Sequence, residues 1–64
     1  MEKLLLTEKE ACVRLGLGRS TVYKLMGQGR LRAVRVGRSL RFAASELDRF
    51  VRALQAEAEA REGR

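Results

Sequence analysis

The stretch that decides the fold is residues 15–42, which read LGLGRSTVYKLMGQGRLRAVRVGRSLRF. Its first half has the period of an amphipathic helix, and the second half has the period of a strand. We predict that the helix begins near Gly18–Ser20, where Ser20 is a candidate N-cap, and that Gly27 and Gly29 end it. Its apolar stripe is predicted to consist of Val22, Leu25 and Met26.

The second half of this stretch predicts a β-hairpin. Apolar and polar residues alternate from Ala33 to Phe42 around Gly37-Arg38, which is typical of a two-residue turn. Glycine at the first turn position suits type II′. We expect one face of the hairpin to carry Val34, Val36, Leu40 and Phe42. The other face is expected to carry Arg35, Ser39 and Arg41, with Arg38 at the tip.

The residues before this stretch predict a first helix. Thr7–Glu10 has the capping-box pattern, in which the threonine hydroxyl and the glutamate carboxylate each accept from the other's backbone N–H. The helix places Ala11, Cys12 and Leu15 on one face, and Gly16 is a left-handed stop. The preceding run, Leu4–Leu6, is either a short strand or an N-terminal packing segment.

The residues after the hairpin predict a third helix. Ser45-Glu46 opens it, and its apolar residues recur at positions i, i+3, i+4 and i+7: Leu47, Phe50, Val51 and Leu54. Residues 55–64 are rich in Ala, Glu and Arg without a large apolar side chain. We therefore expect a domain at residues 1–54 and a helical C-terminal extension at residues 55–64 that frays at its end.

Together these elements predict a mainly α fold with a small β-hairpin. Two short helices separated by a glycine-containing turn form a helix-turn-helix, and a basic hairpin directly after the second helix forms a wing. The expected architecture is a winged helix-turn-helix, with three helices and a two-stranded wing.

Positive charge is concentrated in the same stretch. The chain of 64 residues has 14 Lys and Arg against 8 Asp and Glu, a net charge of +6. Between Arg14 and Arg41 there are eight basic residues and no acidic one. Like charges at this density repel each other unless a polyanion neutralises them, and nucleic acid is the commonest such partner. A merely solvated basic surface is the alternative, whereas binding to an anionic membrane is less favoured because the charges do not line one long amphipathic helix.

The composition also argues against several classes of protein. There is no His and one Cys, so a His/Cys zinc cluster, an internal disulfide and a His-dependent nucleophile are excluded. Cys12 is interpreted as a small core residue. We expect no enzymatic activity, metal, cofactor or small-molecule ligand. No segment has the length of a membrane span and no signal peptide opens the chain, so a cytoplasmic location is expected.

The order of the motifs resembles a known family, the excisionase-type, MerR-like winged-helix proteins. The resemblance covers about residues 5–54 and rests on short motifs along the chain: Leu5-Leu6-Thr7, Glu10-Ala11, Leu15-Gly16, Arg19-Ser20-Thr21-Val22-Tyr23, Gly29-Arg30-Leu31, Ala33-Val34-Arg35-Val36-Gly37-Arg38 and Arg41-Phe42. The sequence departs from the pattern at Gly18, where Ser or Thr is usual, and at Gln28 and Arg32, where Ser and Pro are more frequent.

The resemblance implies binding to double-stranded DNA through two groups of residues. The candidate major-groove residues are Arg19, Ser20, Thr21, Tyr23 and Lys24, and the candidate wing contacts are Arg35, Arg38, Ser39 and Arg41. Arg19 or Lys24 would read guanine, whereas Ser20 and Thr21 would bind phosphate. Tyr23 would contact sugar or phosphate, or else is a half-buried ring at the helix shoulder. Both groups must lie on one side of the domain.

Three functions compete at this point. The resemblance implies a recombination directionality factor of a bacterium, phage, plasmid or integrative element, which bends attachment-site DNA so that an integrase carries out excision. Its partners would be DNA, an integrase and further copies of itself on adjacent sites. The second function is a small stand-alone regulator of transcription or plasmid maintenance. The third is a protein-interaction module that uses Gln55–Arg64 as its contact helix.

Overall fold

The computed structural model describes residues 3–62. Three helices and three strands occur in the chain order β1 (Leu5–Leu6), α1 (Glu8–Leu15), α2 (Arg19–Gly27), β2 (Val34–Val36), β3 (Ser39–Ala43) and α3 (Ala44–Glu62). The predicted helix-turn-helix, wing and third helix are therefore confirmed, and the architecture is a winged helix-turn-helix. The expected fraying at the very end of the chain, Gly63 and Arg64, lies outside the described residues.

A short N-terminal strand extends the hairpin to three strands in the order β1-β3-β2. Of the two alternatives for Leu4–Leu6, the strand is the one that forms. β1 pairs antiparallel with β3, with Leu6 opposite Phe42, and both side chains are buried. The N–H of Ala44 donates to the carbonyl of Leu4 at 2.9 Å, which ties the start of α3 to the same edge of the sheet.

Local capping explains where α1 begins and ends. Thr7 Oγ1 accepts from the N–H of Glu10 at 3.1 Å, and the Glu10 carboxylate accepts from the N–H of Thr7 at 2.9 Å, so the predicted capping box is present. Hydrogen bonds from Lys3 and from the Thr7 backbone hold the pKa of Glu10 down at about 2. Gly16 ends the helix with a φ of 69°, a left-handed conformation that suits glycine.

Helix α2 begins within the predicted region, Gly18–Ser20, but with a different N-cap from the candidate. Gly18 is the N-cap in an extended conformation, and Ser20 already lies inside the helix, so the assignment of Ser20 as the N-cap is wrong. Because glycine has no side chain, no side-chain hydrogen bond caps α2. Helix entry is set instead by the chain reversal at Gly16 and by complete burial of Val22.

The hairpin has the predicted turn but not the predicted faces. Gly37, the first residue of the turn, has a φ of 62°. No residue other than glycine among residues 3–62 has a positive φ, so the φ of Arg38, the second residue of the turn, is negative. A positive φ followed by a negative one is typical of type II′. Residues that pair directly across antiparallel strands point to the same side of the sheet. The register pairs Val36 with Ser39, Val34 with Arg41 and Arg35 with Leu40.

The predicted separation of apolar from polar residues is therefore wrong. One face carries Leu40 and Phe42 together with Arg35, and this is the face that meets the core. The other face carries Val34, Val36, Ser39 and Arg41. Consistent with this arrangement, Phe42 is fully buried, whereas Val34 and Val36 are 44% and 54% exposed.

The core lies where the helix-turn-helix, the sheet and the first turns of α3 meet. Its buried residues are Leu6, Ala11, Val22, Leu31, Phe42, Leu47 and Phe50. The apolar stripe predicted for α3 divides along the helix: Leu47 and Phe50 are buried, whereas Val51 and Leu54 are exposed. The core of a chain this short does not reach the second half of α3, which continues to Glu62 as an exposed helix.

Candidate nucleic-acid interface

The outward face of α2 carries one group of candidate residues. All five are exposed: Arg19, Ser20, Thr21, Tyr23 and Lys24. Between them Val22 is buried, while Leu25 and Met26 pack partly against the core, as the helical period predicts. The fold therefore fixes α2 by its apolar stripe and leaves its polar residues accessible, which is the arrangement of a helix that enters a groove.

Two of these α2 side chains are held by an acidic residue that the sequence did not single out. Glu8, in the first turn of α1, lies with Oε1 2.9 Å from Arg19 Nε, and its Oε2 accepts a hydrogen bond from the Tyr23 hydroxyl. The guanidinium carbon of Arg19 also lies 5.5 Å from the centre of the Tyr23 ring, within cation–π range. Tyr23 and then Glu8 raise the pKa of Arg19, which stays a cation.

Tyr23 lies at the shoulder of α2, and its contacts are with two other side chains of the protein. Its side chain is 42% exposed, so the ring lies at the helix shoulder between core and solvent. Its hydroxyl is bound to Glu8 and its ring lies beside the Arg19 guanidinium. Tyr23 therefore lies against Arg19 and shares Glu8 with it, and a contact of Tyr23 with DNA stays a prediction.

The hairpin carries the second group of candidate residues. Arg35, Arg38 and Ser39 are exposed, and Arg38 stands at the turn. Arg41 is half-buried and its Nη1 donates to the carbonyl of Leu40 at 2.8 Å. Because Arg35 lies on the opposite face of the hairpin from Ser39 and Arg41, these three residues do not form one flat surface. A shared side for α2 and the hairpin stays a prediction.

The basic residues around the base of the wing are engaged in contacts within the chain. Arg30 forms an ion pair with Glu57 of α3, and the backbone N–H of Arg32 donates to Glu46 at 3.0 Å. Arg49 binds the same Glu46 carboxylate and donates to the carbonyl of Arg30 at 3.1 Å. These contacts attach the loop between α2 and β2 to α3, and they place Arg30 in a structural role.

Neither a metal centre nor a deep cavity is part of this site. Within residues 3–62 no cluster of potential metal ligands occurs. A shallow groove of about 210 Å³ lies between the end of α1 and the start of α3, lined by residues that include Leu15 and Val51. Small-molecule pockets usually measure about 300–1,000 Å³, so this groove is small for one. In the same described part of the chain, no helix is both long and apolar enough to cross a membrane.

The fold and these exposed cations define the class of protein as a winged helix-turn-helix. The sequence profile described as "Helix-turn-helix domain" matches residues 5–55, most of the chain. The chain belongs to this helix-turn-helix domain family, which supports double-stranded DNA as its partner.

A curated relative agrees with the excisionase-type resemblance. A protein of Saccharopolyspora erythraea named "Probable excisionase" is 38% identical over 55 residues. The match covers 86% of this chain but 56% of that protein, so the chain spans little more than half the length of its relative. No solved structure matches the chain.

Proposed function

We propose that this chain is a sequence-specific DNA-binding factor of the excisionase type, which binds and bends attachment-site DNA so that an integrase carries out excision. The observation that carries the proposal is the pairing of an accessible polar face on α2 with an exposed basic hairpin in one small domain. The name of the 38% identical relative supports the recombination role. We place it in the cytoplasm, encoded by a bacterium, phage, plasmid or integrative element, and we propose no cofactor for it.

In this proposal α2 supplies the sequence readout. The N-terminal part of a recognition helix reaches base edges in the major groove. Arg19 and Lys24 have the donors that pair with guanine O6 and N7, and Ser20 and Thr21 have hydroxyl groups suited to phosphate oxygens. Val22 is fully buried and anchors α2 to the core, so these side chains point away from the core.

In this proposal the wing increases the affinity for DNA and helps to bend it. Arg35, Arg38 and Ser39 lie on a hairpin that is narrow enough to follow the backbone or to approach the minor groove. Contacts on both sides of a groove favour bent DNA, because bending allows more phosphates to be neutralised. One domain gives modest affinity, so further copies on adjacent sites and contact with the integrase would assemble the excision complex.

The decisive experiment is an excision assay with purified components. Footprinting on the DNA that flanks the gene locates the binding sites, and the same DNA is then supplied with the cognate integrase. We expect this protein to stimulate excision and to increase the bend measured by circular permutation of the site. Binding without stimulation would instead support a stand-alone regulator, and absence of duplex binding at low salt would support a protein-interaction module.

The contribution of the wing can be measured separately. Replacement of Arg38 by Ala removes one exposed cation at the hairpin tip, so binding should weaken on all sequences and the salt slope should fall by about one unit. Arg52→Ala is the matched control, because Arg52 has the same charge but pairs with Asp48 on α3. Fluorescence anisotropy between roughly 50 and 200 mM salt measures the slope of log affinity against log salt concentration. If this slope is the same for Arg38→Ala as for the wild type, Arg38 does not contact phosphate.

A further inference from the structure

Glu8 brings a negative charge to the face of the domain that carries the DNA-reading residues proposed above. Its carboxylate meets Arg19 through one oxygen and the Tyr23 hydroxyl through the other. The side chain of Glu8 is 26% exposed, while that of Arg19 is 74% exposed. The arginine therefore extends outward from a carboxylate that lies beneath it.

The geometry leaves the reading end of Arg19 accessible. The contact with Glu8 is made through Nε, at the inner end of the guanidinium group. Bidentate recognition of guanine can use the two terminal nitrogens. The Tyr23 ring adds a second support at 5.5 Å from the guanidinium carbon. An arginine held in this way loses less conformational freedom when it binds a base than one that is free to rotate.

The same carboxylate acts against phosphate. An arginine without a partner binds any phosphate oxygen, and such contacts carry no sequence information. Glu8 partly neutralises Arg19 and repels a phosphate placed nearby. A contact between Arg19 and a phosphate therefore contributes less binding free energy than it would without Glu8. A guanine edge offers two directed acceptors without the full charge of a phosphate. Repulsion from Glu8 therefore weakens the contact of Arg19 with guanine less than its contact with phosphate.

We propose that Glu8 is a specificity-determining positioning residue, which orients Arg19 with Tyr23 for base recognition and weakens binding of α2 to DNA that lacks the matching base. This inference rests on the proposed sequence-specific DNA binding. It assigns to an acidic residue of α1 a role in selectivity rather than in affinity.

The test compares Glu8→Gln with the wild-type chain on two duplexes. One duplex is selected from a random pool by the wild-type protein, and the other is a scrambled version of the same composition. We expect Glu8→Gln to bind the scrambled duplex several-fold more tightly and the ratio of the two dissociation constants to fall by roughly tenfold, within the range that one bidentate base contact provides. Glu59→Gln, on the exposed end of α3, is the control with the same charge change, and it should leave the ratio unchanged.

A double variant separates positioning from general electrostatics. In an Arg19→Ala background, Glu8→Gln should no longer change the ratio, because the side chain that it orients is absent. Selection from the random pool with Glu8→Gln should also give a relaxed base preference at the position read by Arg19. Circular dichroism and thermal melting confirm that every variant is folded, and Glu8→Ala provides a second removal of the carboxylate.

The outcomes distinguish this inference from the proposed function. A selective wild-type protein whose ratio is unchanged in both Glu8 variants would overturn the role of Glu8 and leave sequence-specific binding intact. An equal loss of ratio in Glu59→Gln would also overturn it, since the effect would then be one of net charge. A wild-type protein that enriches no sequence from the pool would overturn both.

Discussion

At the scale of single residues, Glu46 links the loop before the wing to α3. It lies in the first turn of α3, and its carboxylate accepts from the N–H of Arg32 at 3.0 Å and from Arg49 at 2.7 and 2.8 Å. The hydrogen bond from the Arg49 side chain is the main cause that lowers the pKa of Glu46 from 4.5 to about 2. Burial raises this pKa, and the hydrogen bond from the Arg32 backbone lowers it. Charge-assisted hydrogen bonds of this kind are stronger than neutral ones. Glu46 therefore fixes the start of the wing against α3.

This depressed pKa predicts how stability depends on pH. Because the pKa of Glu46 is lower in the folded than in the unfolded state, its contribution is fully present above pH 4.5 and is lost as the pH falls toward 2. Glu46→Gln should be less stable than wild type at pH 7 in urea unfolding, and the difference should shrink between pH 4.5 and 2. Asp48→Asn removes an exposed partner of Arg52 and is the control, with a smaller expected effect. A difference that stays constant down to pH 2 would contradict the ionic role of Glu46.

At the scale of elements, the hairpin depends on one backbone conformation. Gly37 has a φ of 62°, and a Cβ at this position would meet no other atom within 4 Å. Gly37→Ala should therefore destabilise the protein through backbone strain alone, by roughly 1–2 kcal/mol. Thermal or urea unfolding followed by circular dichroism measures this change.

A second glycine is a matched control for that prediction. Gly27 lies in the last turn of α2, has no positive φ and likewise leaves open space for a Cβ. Gly27→Ala is expected to be neutral or to stabilise the protein by about 0.4–1 kcal/mol, because alanine reduces the freedom of the unfolded chain. If both substitutions had the same effect, strain at the turn would not be the cause.

The sequence predicted the elements better than their contacts. The capping box at Thr7, the stop at Gly16 and the turn at Gly37 are local, since each depends on residues within a few positions. The faces of the hairpin were also open to prediction, because a two-residue turn makes Val36 and Ser39 a direct pair that points to one side. Alternation of residue types within each strand was a weaker guide than this pairing.

The contacts of Glu8 and Glu46 could not be read from the sequence in the same way. Glu8 meets Tyr23 fifteen positions along the chain, and Glu46 meets the Arg32 backbone across fourteen. Such pairs depend on how α1 crosses α2 and on how α3 packs against the wing. No period within one element encodes those crossings. The exposure of the candidate residues on α2 was therefore open to prediction, whereas their contact with Glu8 was not.

At the scale of the whole molecule, charge is distributed unevenly along the chain. Eight basic residues and no acidic residue lie between Arg14 and Arg41, whereas the acidic residues within residues 3–62 belong to α1 and α3. Glu8 and Glu57 bring two of those negative charges back onto Arg19 and Arg30. Cations on the hairpin, such as Arg35 and Arg38, remain exposed. The free protein therefore retains repulsion that a bound polyanion would remove.

Salt should consequently have opposite effects on the free protein and on its complex. Between about 50 and 200 mM NaCl, where the screening length falls toward roughly 8 Å, the Tm of the free protein should rise because repulsion within residues 14–41 is screened. Over the same range the affinity for DNA should fall, because fewer counterions are released. The surface ion pairs weaken as well, but each contributes only about 0–1 kcal/mol. Replacing Arg35 and Arg38 together by Gln should reduce both salt effects, whereas Arg61→Gln, outside this segment, should change neither. A Tm that falls with salt would show that the surface ion pairs outweigh the repulsion among the basic residues of this segment.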